Sequence, residues 1–172
     1  MDIPASERTH ALARALLDAA DGWTAELERL TEDQWVMPGV NAPEIRLGED
    51  ENRPVGVIAH HVAIGLAQHA EMVQQLARGE PVRMPELDLS ALAAFNARHA
   101  AENPHPDQAT TLDLLRQHAS ELAVVIRGLS DESLDRPGDA YGFRLTVEEF
   151  VNRFAIGHGS WHLSSIRATV ER

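Results

Sequence analysis

The chain has 172 residues, 15 basic and 27 acidic side chains, nine His, no Cys and, since every basic residue is Arg, no Lys. Missing Cys excludes a disulfide scaffold, thiolate metal sites, iron–sulfur clusters and a cysteine nucleophile, and missing Lys excludes Schiff-base chemistry and a P-loop lysine. A formal net charge of −12 with Arg scattered along the chain argues against a nucleic-acid surface, which needs a basic face, and against a polybasic membrane patch.

A chain of this length is expected to form one domain, residues 1–172, with a core large enough to need no covalent staples. The opening Met-Asp-Ile-Pro lacks the charged and apolar regions of a signal peptide. Apolar runs of about five residues fall far short of the roughly 20 of a membrane span, so a cytoplasmic protein is the expectation.

Four segments carry apolar residues at alternating spacings of three and four, the pattern of an amphipathic helix. The first runs from about Ser6, a good N-cap, to Leu30, with Ala13, Leu16, Ala20, Trp23 and Leu27 on its stripe. A loop follows from Trp35 through Pro38 to Glu51. The second helix starts near Pro54 and ends at Arg78 before Gly79, with Val55, Ile58, Val62, Leu66, Val73 and Leu76 in register. A long connection, Gly79 to Asp107, contains a short helix around Ser90 to Asn103. The third long helix spans Gln108 to Leu129, on Leu112, Leu115, Ala119, Leu122 and Ile126. The fourth begins at Thr146, where Thr146-Val-Glu-Glu149 is a capping-box pattern, and its stripe reads Val147, Val151, Phe154, His158, His162. No segment alternates as a strand does.

Four helices of matched length, about 33 to 40 Å at 1.5 Å per residue, predict an all-α four-helix bundle. The long second connection can carry the chain back along the bundle, so helices 2 and 3 are expected to be parallel, giving up-down-down-up.

His158 and His162 are one turn apart on a face that should point inward, so both can reach one metal ion. Gly157 and Gly159 flank His158 at about 1 kcal/mol each relative to Ala, which suits close approach of another helix or a ligand. Helix 2 offers His60, His61 and His69 as a third ligand. Periodicity favours His69 at least as much as His61, and depth along the helix does not separate them. His99 and His118 read as surface or helix-edge residues. Glu7-Arg-Thr-His10 and Glu102-Asn-Pro-His105 match a di-iron spacing but lack the remaining core carboxylates.

The helix 2 segment Val55-Gly-Val-Ile-Ala-His60-His61-Val62, the segment Ile156-Gly-His158-Gly-Ser-Trp-His162-Leu-Ser-Ser-Ile166-Arg167 and the long connection together resemble the DinB/YfiT-like superfamily of metalloenzymes. The resemblance implies that His61, His158 and His162 bind a divalent metal, Zn or Ni. Many members have Gln before the Ile of the last motif, where this chain has Ser165. The resemblance also implies a homodimer and a thiol-dependent S-transferase or isomerase acting on small electrophiles with a low-molecular-weight thiol such as mycothiol. The Ala- and Arg-rich, Lys-free composition fits a high-GC bacterium, where mycothiol is the expected thiol. Arg167, a turn beyond His162, is a candidate to anchor a carboxylate of that cofactor. Tyr141 and Trp35 are candidates to line the entrance, and Leu92 and Phe95 to bury the crossover helix against the bundle or a second subunit. Metal-dependent hydrolysis by bound water, and non-catalytic, stress-related metal binding, are the competing functions.

Overall fold

Helix-forming stripes bounded by capping residues account for most of the architecture. The computed structural model describes residues 6–40, 52–84 and 86–172, so the Met-Asp-Ile-Pro opening and most of the Trp35–Glu51 loop lie outside the described residues. In chain order, the elements are α1 (Glu7–Leu27), α2 (Glu32–Trp35), α3 (Val55–Arg78), α4 (Leu89–Glu102), α5 (Gln108–Arg127), α6 (Asp131–Leu134), β1 (Pro137–Ala140), β2 (Phe143–Thr146), α7 (Val147–Phe150) and α8 (Gly157–Val170). A π-helical stretch, Val151–Ile156, joins α7 to α8, so the last three helical pieces form one long rod.

The caps are those the sequence advertises. The Ser6 side chain accepts from the Thr9 N–H at the start of α1, and Thr146 with Glu149 closes both halves of a capping box at α7. Pro54 occupies the N-cap of α3, and Gly79 ends that helix in a left-handed conformation, φ 73°.

End-to-end contacts fix the directions. Gln108, at the start of α5, donates to the carbonyls of Leu27 and Leu30 at the end of α1, so α1 and α5 are antiparallel. The Trp35 indole bridges the starts of α3 and α5: it lies against Gly56 and donates to the Pro106 carbonyl at 2.8 Å. At the far end Arg136, just past α5, donates to the Ala77 carbonyl of α3, so α3 and α5 are parallel. The last rod runs beside α1 in the same direction, with Arg8 paired to Glu148 at one end and Arg167 to Glu26 at the other. The topology is therefore up-down-down-up.

The apolar stripes meet in one core that includes Leu16, Leu27, Ile58, Leu115, Ile126 and Phe150, each fully enclosed. No described helix is long and apolar enough to cross a membrane.

Two features depart from the sequence reading. Residues 137–146 form a two-stranded antiparallel hairpin, Pro137 opposite Thr146 and Ala140 opposite Phe143. Its two-residue turn is Tyr141-Gly142, both with positive φ (52° and 77°), the conformation that matches strand twist. Four-residue strands without a clean alternation leave no periodic signal. The second departure is the π stretch. It inserts into the last helix just before the histidines, where the sequence reading has an unbroken α-helix.

Candidate metal centre

α3 and the last rod face each other antiparallel, so the first half of α3 meets the second half of the rod. The π stretch sets the rod's rotation there: the Gly157 N–H bonds to the Asn152 carbonyl five residues back. A Cβ on Gly157 would stand 3.3 Å from that carbonyl, and a Cβ on Gly159 would stand 2.4 Å from the Trp23 ring of α1. The flanking glycines thus let α1 approach and let the widened turn form.

His61, His158 and His162 converge, and one ligand atom from each lies within 4.8 Å of the other two. The Nε2 of His158 is 3.3 Å from the Nε2 of His61 and 3.0 Å from the Nε2 of His162. Nitrogens arranged tetrahedrally around an ion at 2.0–2.1 Å lie about 3.3 Å apart, so the donor set fits a Zn-like divalent ion. A neutral imidazole nitrogen carries one proton or one lone pair, and His158 Nε2 can therefore make one good hydrogen bond, not two. A cation between the rings satisfies all three.

Burial favours the neutral form of two of these rings, His61 and His158. His61 is 5% exposed and His162 3%. Burial pushes His61 well below the ordinary His range, and the neighbouring His158 and His162 imidazoles add to this. Burial also pushes His158 down, helped by His162 and His69. Neutral rings keep lone pairs available for a ligand. The Nδ1 of His61 has no hydrogen-bond partner, so packing orients this ring, edge-on to Phe95 of α4 at 6.2 Å and to His99 at 5.5 Å.

The structure separates the two α3 candidates that periodicity leaves level. His69 is buried, but its ring stands 5.7 Å from His158 and its position is outside the converging set. Two turns along α3 carry it past the point where the rod histidines meet the helix. Burial alone pushes its pKa down to about 4.

His99 is a correction. It is the one buried residue of α4, stacked on His60 with ring centroids 5.1 Å apart and Nε2 2.9 Å from His60 Nδ1. Burial, then His60, pushes it down to about 4. The short stripe of α4 does not reveal this contact, because a tertiary partner makes it. His118 is half-buried, with Nδ1 2.8 Å from the Ala63 carbonyl.

A cavity of about 550 Å3 opens beside the histidines and reaches Tyr141, Leu92 and Phe95, with His61, His69 and His158 among its lining. Trp35 is not at this entrance; it is buried between the starts of α3 and α5. Arg167 is not brought to the cavity either: its Nε lies 2.7 Å from Glu26 on α1, and the ion pair holds it on the outer face. Among the described residues, the cationic side chains that reach the cavity are Arg83, Arg98 and Arg153, three residues far apart in sequence that the fold gathers.

The up-down-down-up four-helix bundle thus gathers three imidazoles that could hold a metal ion, and two of them, His61 and His158, line an open cavity. A solved structure shares this fold. YfiT from Bacillus subtilis, described as a probable metal-dependent hydrolase with an unusual four-helix bundle topology, superposes with a TM-score of 0.68. The match covers 100% of this chain and 91% of that one at 15% identity, which bears out the DinB/YfiT-like resemblance at the level of the fold. No family model matches the chain, and no curated protein does.

Proposed function

We propose that the protein is a divalent-metal-dependent enzyme in which His61, His158 and His162 hold the ion, and that it joins a low-molecular-weight thiol to a small electrophile. One observation carries the metal reading: three imidazoles bring their nitrogens together at a spacing that suits tetrahedral ligation, and two of them, His61 and His158, line a cavity. A Zn or Ni ion held by His61, His158 and His162 would supply Lewis acidity that lowers the pKa of a thiol or water.

The chain's own residues then orient and enclose. His61 comes from α3 and His158 and His162 from the rod, so two rigid elements fix the centre. The largely apolar walls suit the body of a small organic electrophile. In the transfer, the sulfur–carbon bond forms as the electrophile's leaving group departs with its electron pair, and the thiol proton passes to solvent. No described residue lining the cavity is a carboxylate, which supports a nucleophile that needs no protein base. Hydrolysis is the second reading, favoured by the description of YfiT. Stress-related metal binding without turnover is the non-catalytic alternative.

Metal content of the purified protein and its variants tests the ligand set. His61→Ala, His158→Ala and His162→Ala should each lose the ion by roughly 10-fold or more in affinity, and His69→Ala should retain it. Loss in His69→Ala with retention in His61→Ala would overturn the assignment. Turnover of a bromomethyl electrophile only with mycothiol or a similar thiol supports transfer. Turnover without thiol supports hydrolysis, and neither, with tight metal retention, supports the binding role.

A further inference from the structure

The cavity has a second chemical feature besides the histidines. Arg83, from the connection after α3, Arg98 of α4 and Arg153 of the π stretch all line it and are all exposed, so they stand at its mouth. Among the described residues none of the three forms an ion pair with a carboxylate, and none of the lining is acidic. The chain has 27 acidic side chains for its 15 basic ones, and Arg8, Arg78, Arg116, Arg136, Arg144 and Arg167 each pair with a carboxylate.

Two of the three cavity arginines are held by aromatic faces instead. The Arg153 guanidinium lies 3.8 Å from the centre of the Phe143 ring, and the Arg98 guanidinium 5.8 Å from that of Phe95. A guanidinium over a ring is oriented through its flat face, which leaves its N–H edge directed elsewhere. That edge is the fork whose N–H groups donate to a carboxylate or phosphate in a bidentate pair. Between this rim and the histidine floor the walls are apolar, with Leu92, Phe95 and Phe154 among them. Such a cavity is cationic at the mouth, largely apolar along its walls and also lined by His61, His69 and His158.

We infer that the substrate is an amphipathic organic anion: a carboxylate or phosphate head bound by Arg83, Arg98 and Arg153, with an apolar body lying along Leu92, Phe95 and Phe154. The head stays at the mouth, and the far end of the body reaches the histidines. That the far end reacts rests on the metal-centre reading above; the binding itself does not.

Matched probes test it by calorimetry. 4-Phenylbutyrate and 4-phenylbutyl phosphate supply the two heads, 4-phenylbutanamide is the neutral analogue and 4-phenylbutylamine the cationic one. Each is titrated into the protein as purified and into the chelator-treated protein. The anions should bind about tenfold or more tighter than the amide in both preparations, and the amine weaker than the amide. The tighter anion identifies the head. The R83Q/R98Q/R153Q variant should lose the preference for anions while keeping the affinity for the amide and its metal content. Equal binding of anion and amide, or a preference that survives in the variant, would overturn the inference. A preference present only with metal bound would also overturn it, by placing the head on the ion. Because the chelated protein is assayed separately, failure of the metal reading leaves this result interpretable.

Discussion

Gly159 and Gly22 are both helical glycines, and their surroundings give opposite expectations. The Cβ of an alanine at Gly159 would meet three atoms of the Trp23 ring, the nearest at 2.4 Å, whereas at Gly22 nothing lies within 4 Å. Trp23 is itself buried in the core, so it has little room to yield. Gly159→Ala should therefore destabilise the fold by about 1–3 kcal/mol, the usual cost of overpacking. Gly22→Ala should stabilise it by about 0.5–1 kcal/mol, since only the helix propensity changes. Urea denaturation of the two variants beside the parent checks both signs. An unchanged midpoint for Gly159→Ala would mean that Trp23 swings aside. A sequence can flag a glycine beside a histidine as small, as it does here, but it cannot name Trp23 as the reason.

Helices were legible because periodicity and capping agree. Ser6, Gly79 and the Thr146–Glu149 box each mark an end that the structure keeps, and the spacing of Leu112 to Ile126 is a core stripe along its whole length. The hairpin and the π stretch were not legible, since neither has a period of its own long enough to read. The third member of the converging set was also beyond periodicity: His61 and His69 are both buried, and only the meeting point of two antiparallel helices decides between them. α4 is an intermediate case. Its span was readable, but its attachment was not. His99 is its one buried residue, and Leu89 at its start is 59% exposed. A helix held at so few points should open locally at a much lower free energy than the core helices. Hydrogen exchange is expected to be fastest in α4 and slowest in the middles of α3 and α5, and His99→Ala should accelerate α4 without changing α5. Equal protection of α4 and α5 would show that it belongs to the core. Because α4 carries Leu92, Phe95 and Arg98 of the cavity wall, such opening would also give ligands a way in.

At the scale of the whole molecule, burying histidines as neutral rings couples stability to pH. His69 is the cleanest case: it is 5% exposed, its Nδ1 has no partner, and burial alone brings its pKa to about 4. In the unfolded chain the same side chain titrates near 6.5. Above that pH the ring is neutral in both states and contributes nothing to the pH dependence. As the pH falls below 6.5 the unfolded chain takes up a proton that the folded ring refuses, so the unfolded state gains. The loss grows down to about pH 4, where the folded ring also protonates, and then levels off. For His69 alone it should reach about 2 kcal/mol by pH 5. His61, His158 and His99 are shifted in the same direction and add to the effect. The metal-free protein should therefore lose stability between pH 7 and pH 5, and His69→Gln should lose about 2 kcal/mol less over that interval. Denaturation of both proteins at the two pH values measures this difference. An equal loss in the variant would mean that the ring at position 69 accepts its proton in the folded state, and that the space around it is open to water.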